Sequence, residues 1–356
     1  AVAVIANENR YHPVCDFLNA LQWDGTERIR FCLHRFLGSD TDDYTYEALK
    51  LFLLGAISRA FKPGCKFEVM LCLVGGQGAG KSSFFRLLAV NDDWFSDDLK
   101  KLDDENVYRK MQGHWIIEMS EMIATANAKS IEEIKSFLSR QKETYKIPYE
   151  THPADRKRQC VFGGSSNTLD FLPLDRTGNR RFVPVMVYPE RAEVHILADE
   201  QASREYINQM WAEAMEIYRS GNFRLRFSPA MNDYLKAHQK DFMPEDTKAG
   251  QILDYLERYS GSIVCSKQLY KEALGHDYDE PKQWELREIN DIMNNAVTGW
   301  RAFSNPRYFP EPYRRQKGWE RIRNDNEPDN SMDGFQEIPT EEMEQLGLPE
   351  EWLKQK

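Results

Sequence analysis

The sequence predicts an α/β protein in which helices cover a mainly parallel sheet. From residue 67 to residue 187, short apolar segments typical of buried strands alternate with segments whose apolar residues recur at helical spacing. Parallel strands need long crossover connections, usually helices, so this alternation favours parallel pairing. A glycine-rich stretch stands where the first strand segment gives way to the first helix segment, and such strand–loop–helix units belong to the same fold class.

The individual elements follow from apolar spacing and from the turn residues between them. Residues 14–61 carry apolar residues at steps of three and four, broken by a DG pair and by LGSDTDD, which predicts a small helical region. The segment KPGCK at 62–66 is a predicted turn. After it we expect a strand at 67–75, a helix at 81–89, a strand at 114–121, a helix at 130–141, strands at 159–167 and 180–187, and a long helix at 198–221.

The same patterns divide the chain into five predicted segments. The stretch 249–322 reads as helix, helix and then strand-like pieces, which is the order of a small winged-helix module. We expect an N-terminal helical domain at 1–63, the α/β core at 64–190, a helical extension at 191–248, a winged-helix-like module at 249–323 and an acidic tail at 324–356.

The composition is that of a folded protein with unevenly distributed charge. The 356 residues are 41% hydrophobic and carry a net charge of -10, which argues against a chain coated with nucleic acid but permits local basic patches. Residues 301–323 hold seven basic residues against two glutamates, whereas 324–356 hold ten acidic residues against two lysines.

No apolar stretch approaches the ~20 residues that cross a bilayer, so we expect no membrane span and a cytoplasmic protein. The chain opens at Ala1 rather than Met, so we expect it to be part of a longer protein.

A phosphate-binding loop is predicted at residues 75–82. They read GGQGAGKS and fill the pattern G-x-x-x-x-G-K-[ST] directly between a strand and a helix. In this pattern backbone N–H groups curl around phosphate oxygens, and the helix N-terminus adds partial positive charge. Lys81 is expected to reach the β- and γ-phosphates, and the Ser82 hydroxyl is expected to bind Mg²⁺. The predicted nucleotide contacts are Gly75, Gly76, Gln77, Gly78, Ala79, Gly80, Lys81, Ser82 and Ser83.

Such a loop needs an acid that holds Mg²⁺ and orients the attacking water, usually at the end of a second buried strand. The segment HWIIEMSEM supplies it, because apolar residues 115–117 run into Glu118. Glu118 is therefore the predicted partner of Ser82 at the metal. Glu121, three residues further on, has two interpretations: a second acid of the site, or a first-turn acid of the next helix, favoured there by the helix dipole.

Polar residues at the next two predicted strands complete the candidate site. Asn167 ends the segment CVFGGSSN, where its side chain can contact the γ-phosphate or the attacking water; the alternative is a solvated loop asparagine. The segment DRTGNRRFVPV places Arg176, Arg180 and Arg181 ahead of an apolar strand. Arginines at this position either pair with local carboxylates or stabilise charge on a transferring phosphoryl group.

These segments together resemble the virulence-associated protein E family, which comprises replication proteins of phages, prophages and genomic islands related to superfamily 3 helicases of the AAA+ class. The resemblance covers roughly residues 7–322, and the elements TGNRRF and QKGWER are specific to this family rather than to phosphate-loop proteins at large. It implies an AAA+ P-loop NTPase core. One departure is the segment SSN at 165–167 where the common pattern is closer to TTN, although serine keeps the hydroxyl.

The resemblance also implies roles for the candidate residues. Glu118 corresponds to the Walker B acid, Asn167 to the sensor 1 residue, and Arg180 or Arg181 to an arginine finger that reaches a neighbouring subunit. An arginine acting between subunits implies a ring, usually a hexamer.

Superfamily 3 relatives also carry a β-hairpin that holds single-stranded DNA, and here that region is KETYKIPYETHPADRKRQ. Positive charges interleaved with Tyr145 and Tyr149 suit sequence-tolerant binding of a single strand. An ordinary solvated hairpin with a few salt bridges is the alternative. The predicted DNA contacts in the hairpin are Lys142, Lys146, Arg156, Lys157 and Arg158.

The C-terminal module has a second predicted DNA surface. Its helical segments are followed by the basic stretch YRRQKGWERIR, so Arg314, Arg315 and Lys317 lie on or near the wing of the expected winged helix. The acidic tail is either a solvated extension or an intramolecular mimic of DNA that screens the wing.

From these observations we expect an ATP- and Mg²⁺-dependent DNA helicase or translocase that acts in replication of a mobile element in a bacterial cell. A homo-oligomer is expected, with single-stranded DNA and a duplex origin as candidate partners and a primase domain or partner alongside. The alternative is an ATP-dependent origin-binding or loader assembly that binds DNA without unwinding it. A small-molecule kinase fits less well, because it leaves the TGNRRF arginines and the basic C-terminal stretch without a role.

Overall fold

The computed structural model describes residues 11–99, 102, 107–120, 128–145, 152, 154–174 and 179–322. The chain divides into two compact units, Ala1–Asp246 and Thr247–Lys356. No helix in the described part of the chain is both long and apolar enough to span a bilayer.

The first unit is built on a five-stranded parallel sheet. Its strands are β1 (Met70–Val74), β2 (Phe95–Ser96), β3 (Ile116–Ser120), β6 (Val161–Ser166) and β7 (Phe182–Met186), while β4 (Lys142–Tyr145) and β5 (Ala154–Lys157) pair as an antiparallel hairpin. The order across the sheet is β2-β3-β6-β1-β7, and every neighbouring pair is parallel. The predicted mainly parallel α/β fold is therefore confirmed. The short edge strand β2 has no counterpart among the predicted strands, because two residues are too few to give a periodic pattern.

Eight helices of the first unit lie in the described residues. They are α1 (Pro13–Ala20), α2 (Ile29–Leu37), α3 (Asp43–Phe61), α4 (Lys81–Leu88), α5 (Val107–Lys110), α6 (Ala128–Leu138), α7 (Glu200–Ser220) and α8 (Pro229–His238). Local chemistry sets several ends. The Asp42 carboxylate accepts the Thr45 N–H at 2.8 Å at the start of α3, and the Asp199 carboxylate accepts the Ala202 N–H at 3.0 Å at the start of α7.

Helices cover both faces of the sheet because β1 alternates its side chains between them. Leu71 and Leu73 pack into a core shared with α1, α2, α3, α4 and α7, whereas Met70, Cys72 and Val74 pack into a second core with α6. Each apolar side chain buried in these cores contributes about 1.5–3 kcal/mol. The result is a three-layer arrangement with the sheet in the middle.

The prediction of a separate N-terminal helical domain is not confirmed. Helices α1–α3 share one hydrophobic core with the sheet, and the indole N–H of Trp115 donates to the Ala56 carbonyl of α3 at 3.0 Å. The helical segment that follows the sheet joins the same core, since Trp211 of α7 packs on Trp115 with ring centroids 4.5 Å apart. Periodicity finds these helices but does not reveal which of them share a core.

The second unit combines helices with short strands. It contains α9 (Thr247–Arg258), β8 (Ile263–Val264), α10 (Ser266–Gln268) continued by a π-helical turn (Leu269–Ala273), α11 (Gln283–Asn295), β9 (Trp300–Ala302), β10 (Arg307–Phe309), β11 (Arg314–Gln316) and β12 (Trp319–Arg321). Strands β8, β12 and β9 form an antiparallel sheet in that order, and β10 pairs with β11 as a hairpin. The winged-helix assignment stays a prediction, and the acidic tail lies outside the described residues.

Candidate nucleotide site

The glycine-rich loop joins the central strand β1 to helix α4. The loop spans Gly75–Gly80, and α4 begins at Lys81. Gly80 precedes the helix with a φ of 79°, a left-handed conformation that strains any residue with a Cβ. The second glycine of the motif is therefore required by backbone geometry.

The first helix after the loop is held in place from two sides. A Cβ on Gly163 of β6 would lie 2.4 Å from the Phe85 ring of α4, so this glycine lets helix and strand approach closely. The indole N–H of Trp211 donates to the Leu88 carbonyl at 2.9 Å, at the other end of the helix. The position of the loop is thus fixed by residues far away in sequence.

The Lys81 ammonium group lies inside the loop. Its Nζ donates to the carbonyls of Gly75 and Gly76, both at 2.7 Å, and to the side-chain oxygen of Asn167 at 3.0 Å. Burial lowers the pKa of Lys81, and the negative charge of Glu118 opposes that shift. The structure therefore brings Lys81 and Asn167 together.

The Glu118 carboxylate lies beside the first turn of α4, at the middle of β3, and is fully buried. Its Oε1 accepts the hydroxyl of Ser82 at 2.8 Å and the hydroxyl of Ser165 at 2.5 Å. Burial raises the pKa of Glu118, the two serine hydroxyls lower it, and the nearby charge of Asp97 raises it again. Its Oε2 has no hydrogen-bond partner among the described residues.

This donor set fits Mg²⁺. A buried carboxylate oxygen without a partner is costly unless something else satisfies it, and Mg²⁺ commonly takes one or two carboxylates, waters and substrate phosphates. Ser82 is exposed, and because its hydroxyl hydrogen points to Glu118, its oxygen keeps lone pairs for a cation. Within the described residues no cluster of three or more His, Cys, Asp or Glu side chains offers a metal site made of protein ligands alone.

The two arginines that precede β7 lie at the other end of the sheet. Strands β1 and β7 are parallel, with Met70 opposite Phe182 and Val74 opposite Met186. The loop follows β1 after Val74, whereas the arginines precede β7 at the Phe182 end, beside Met70. Four strand residues separate the two ends by about 13 Å. Arg180 is 71% exposed and pairs with Glu68 at 3.1 Å, whereas Arg181 is 21% exposed and donates to the Ser139 hydroxyl at 2.9 Å. Neither arginine is placed to contact a phosphate bound by its own chain's loop.

The predicted DNA hairpin is present, but its basic residues do not share one surface. Lys142 pairs with Lys157 across the two strands, and both are exposed on one face. Arg156 lies on the opposite face, with its guanidinium 5.6 Å from the centre of the Tyr145 ring. Lys142 also pairs with Asp155.

Arg158 corrects the sequence prediction, because it is buried rather than available to DNA. Its guanidinium pairs with Glu143, donates to the Phe137 carbonyl at 2.7 Å and lies 4.6 Å from the centre of the Phe137 ring. It is 3% exposed. A charged run predicts exposed basic residues, whereas Arg158 directly follows β5 and its guanidinium lies 5.1 Å from the centre of the Phe162 ring of β6, inside the core.

The three basic residues predicted to contact DNA in the second unit are exposed. Arg314 and Arg315 lie on β11, and Lys317 follows that strand. Arg314 pairs with Glu311 at 3.2 Å, whereas Arg315 and Lys317 form no ion pair with another residue of the described ranges. Three further predicted site residues, Glu121, Lys146 and Arg176, lie outside the described residues.

Two residues of the site were missed by sequence reasoning. Ser165 contacts Glu118 directly, and its only sequence signal was the polar pair that precedes Asn167. Asp97 acts on Glu118 through its charge and follows the short strand β2, which the sequence pattern did not reveal.

The fold defines the class as an α/β protein with a mainly parallel sheet, whose glycine-rich loop fills the sequence pattern of a phosphate loop. Within that class the chain belongs to the family of the virulence-associated protein E-like domain, whose family model matches residues 18–244. No curated protein matches the chain.

Solved structures also resemble the chain. The A form of the apo C-terminal region of NrS-1 matches with a TM-score of 0.50 at 14% identity, covering 86% of this chain and 78% of that one. A second apo structure of that region (305-718) gives a TM-score of 0.47 with the same identity and coverage. A structure of JCV helicase bound to a small molecule gives a TM-score of 0.30 at 12% identity, covering 70% of this chain and 66% of that one. At these identities the likeness is one of fold.

Proposed function

We propose that this protein is an ATP-driven DNA helicase or translocase that acts in the replication of a phage, prophage or genomic island. The observation that carries the proposal is the convergence of Lys81, Ser82, Glu118 and Asn167 at one edge of the sheet. Membership of the virulence-associated protein E-like family supports it. The chemistry of each residue follows from its contacts.

In the proposed site the loop amides and Lys81 bind the phosphates of ATP. The ammonium group lies within reach of three oxygens of its own site, so phosphate oxygens replace neutral carbonyl partners with charged ones and strengthen its hydrogen bonds. Ser82 and Glu118 hold Mg²⁺, which when bound neutralises charge that develops on the β- and γ-phosphates. Asn167, linked to Lys81, is placed to contact the γ-phosphate or the attacking water.

The position of the arginines favours hydrolysis between subunits. Arg180 and Arg181 lie at the opposite end of the sheet from the loop, so a role at phosphate requires that they come from a neighbouring copy. Arg180 is the better candidate because its side chain is 71% exposed. Repeated head-to-tail contacts form a ring when the rotation between neighbouring copies closes, and we propose a closed hexamer.

Two exposed basic surfaces are proposed to contact DNA. The first is the hairpin face of Lys142 and Lys157, which suits the backbone of a single strand. The second is the β10–β11 hairpin of the second unit, where Arg314, Arg315 and Lys317 occupy the wing of a proposed winged helix. We place the protein in the bacterial cytoplasm, with a primase as a domain or partner.

The second unit favours one alternative function. Exposed basic residues on a winged helix suit duplex binding, so an assembly that recognises an origin and loads other proteins has the same ATPase site without unwinding DNA. The two functions have the same ATPase site and differ in what ATP hydrolysis drives, which is unwinding of DNA in one and loading of other proteins in the other.

A strand-displacement assay separates the two functions. Wild-type protein is mixed with ATP, Mg²⁺ and forked duplexes that carry either a 3′ or a 5′ tail, and Lys81→Ala is expected to bind DNA without opening it. Lys236→Ala, which removes an exposed lysine of α8, is the matched control and is expected to unwind normally. ATP hydrolysis and DNA binding without unwinding of either tail would contradict the helicase and support the loader.

A further inference from the structure

Ser165 occupies a defined place next to the candidate metal site. In the register between β3 and β6, Glu118 pairs with Gly163, and Ser165 is the next residue of β6 on the same face of the sheet. Gly163 has no side chain to separate them. The Ser165 hydroxyl therefore reaches Glu118 Oε1 at 2.5 Å, and Ser165 is 7% exposed.

Both serine hydroxyls donate to the same carboxylate oxygen. Ser82 reaches Glu118 Oε1 at 2.8 Å from the helix side, and Ser165 reaches it from the sheet side. The terminal torsion of a glutamate is broad, so without such contacts the carboxylate rotates easily. Two donors on Oε1 fix the plane of the group and leave Oε2, which has no partner among the described residues.

The two donors differ in what else they do. Ser82 is exposed at the start of α4 and is itself a proposed Mg²⁺ ligand, so its geometry changes with the contents of the site. Ser165 lies within the central part of the sheet, between β1 and β3, and is held by strand pairing on both sides. Only Ser165 can hold the carboxylate in the same way before and after the cation binds.

We propose that Ser165 is a positioning residue that orients the Glu118 carboxylate so that its second oxygen is presented to Mg²⁺. This inference rests on the proposed ATP and Mg²⁺ site. It does not depend on DNA unwinding. Residues that hydrogen-bond to metal ligands typically change metal affinity by about 10–100-fold when removed.

Nucleotide binding without turnover tests the role. The affinity of a fluorescent, non-hydrolysable ATP analogue is measured in EDTA and across a Mg²⁺ titration, for wild type, Ser165→Ala, Ser165→Thr and Ser166→Ala. Ser166 is the matched control because it is the neighbouring serine, is 4% exposed, and donates to the Thr168 carbonyl rather than to Glu118. Circular dichroism establishes that each variant is folded.

Ser165→Ala is expected to raise the Mg²⁺ concentration for half-maximal binding about 10-fold or more, with affinity in EDTA changed less than about 2-fold. Ser165→Thr keeps the hydroxyl and should behave like wild type, as should Ser166→Ala. Unchanged Mg²⁺ dependence in folded Ser165→Ala would overturn the inference, and so would a Thr variant as impaired as the Ala variant. If wild type shows no Mg²⁺-dependent binding at all, the proposed ATP site fails first and the positioning role falls with it.

Discussion

Lys81 donates a hydrogen bond to the side-chain oxygen of Asn167 at 3.0 Å, which links the start of α4 to the end of β6. These residues are 86 positions apart in the chain. They meet because β1 and β6 are parallel neighbours in the sheet, so the loop after one strand lies beside the residue after the other. This contact brings the exposed side chain of Asn167 to Lys81.

Replacing Asn167 separates two roles for its amide. Asn167→Ala is expected to lower kcat for ATP hydrolysis by about 100-fold, because one polar contact of a preorganised phosphate site is lost. Asn167→Asp keeps an oxygen that accepts from Lys81 but loses the N–H donors and adds negative charge. Steady-state ATPase assays should therefore find both variants impaired if the amide contacts the γ-phosphate. Near-normal hydrolysis by Asn167→Asp would restrict its role to holding Lys81.

Glu118→Gln should separate catalysis from stability. Hydrolysis is expected to fall by about 100-fold or more, since the carboxylate charge is lost. Burial raises the pKa of Glu118 in the folded protein above its value in the unfolded chain. At a pH above the folded-state pKa, the ionised carboxylate therefore lowers the free energy of unfolding. This destabilisation disappears as the pH falls to the pKa of the unfolded chain. In EDTA the Gln variant should thus have a higher Tm than wild type at pH 8, with the difference shrinking toward pH 4. A lower Tm at pH 8 would mean that the charge stabilises the fold, through Lys81.

Adjacent basic residues of the hairpin should respond differently to substitution. Arg158→Met is expected to destabilise the protein by about 3 kcal/mol, because it leaves the Glu143 carboxylate buried without its main partner. Adding Glu143→Gln should recover part of that loss. Urea unfolding measures both effects.

Lys157→Ala is the matched variant on the exposed face. Its stability should stay within about 0.5 kcal/mol of wild type, while affinity for single-stranded DNA falls and the salt dependence of binding drops by about one counterion. Fluorescence anisotropy at several salt concentrations measures this. Unchanged affinity and unchanged salt slope would remove the hairpin from the proposed DNA surface.

Substitution of the two arginines that precede β7 should affect different properties, stability for Arg181 and ATPase activity for Arg180. Arg181→Ala is expected to lower stability by about 1 kcal/mol, because its guanidinium donates to Ser139 and pairs with Glu68. Arg180→Ala should leave stability unchanged, since the side chain is mostly exposed, but reduce ATPase activity of the assembled protein.

Mixing variants tests whether Arg180 acts between subunits. Arg180→Ala protein is expected to have reduced ATPase activity and Lys81→Ala protein none, and mixed assemblies should regain part of the activity at interfaces that combine an intact loop with an intact arginine. Mixed assembly, verified by a tag on one variant, without any recovery would contradict action in trans.

Features that depend on a short continuous stretch of sequence could be predicted. The glycines of the motif around Lys81 specify the backbone conformation of the loop. The strand that carries Glu118 is recognisable as a run of apolar residues followed by an acid. The hairpin at Lys142–Tyr145 and Ala154–Lys157 was expected from the family resemblance, whereas its register, with Lys142 opposite Lys157, came from the structure. The alternation of elements likewise gave the parallel sheet, because helical crossovers leave few other arrangements.

By itself, the sequence determined the fold class, the glycine-rich loop between β1 and α4 and the position of Glu118 on the second strand, since local spacing and backbone requirements specify each of these. Only the tertiary structure decided that Ser165 shares an oxygen of Glu118 with Ser82, that Arg158 is buried against Phe137, and that Arg180 lies at the opposite end of the sheet from the loop. The physical reason is that strand register and core packing join residues distant in the chain. A one-residue change of register would turn Ser165 to the other face of the sheet and leave the local sequence pattern unchanged.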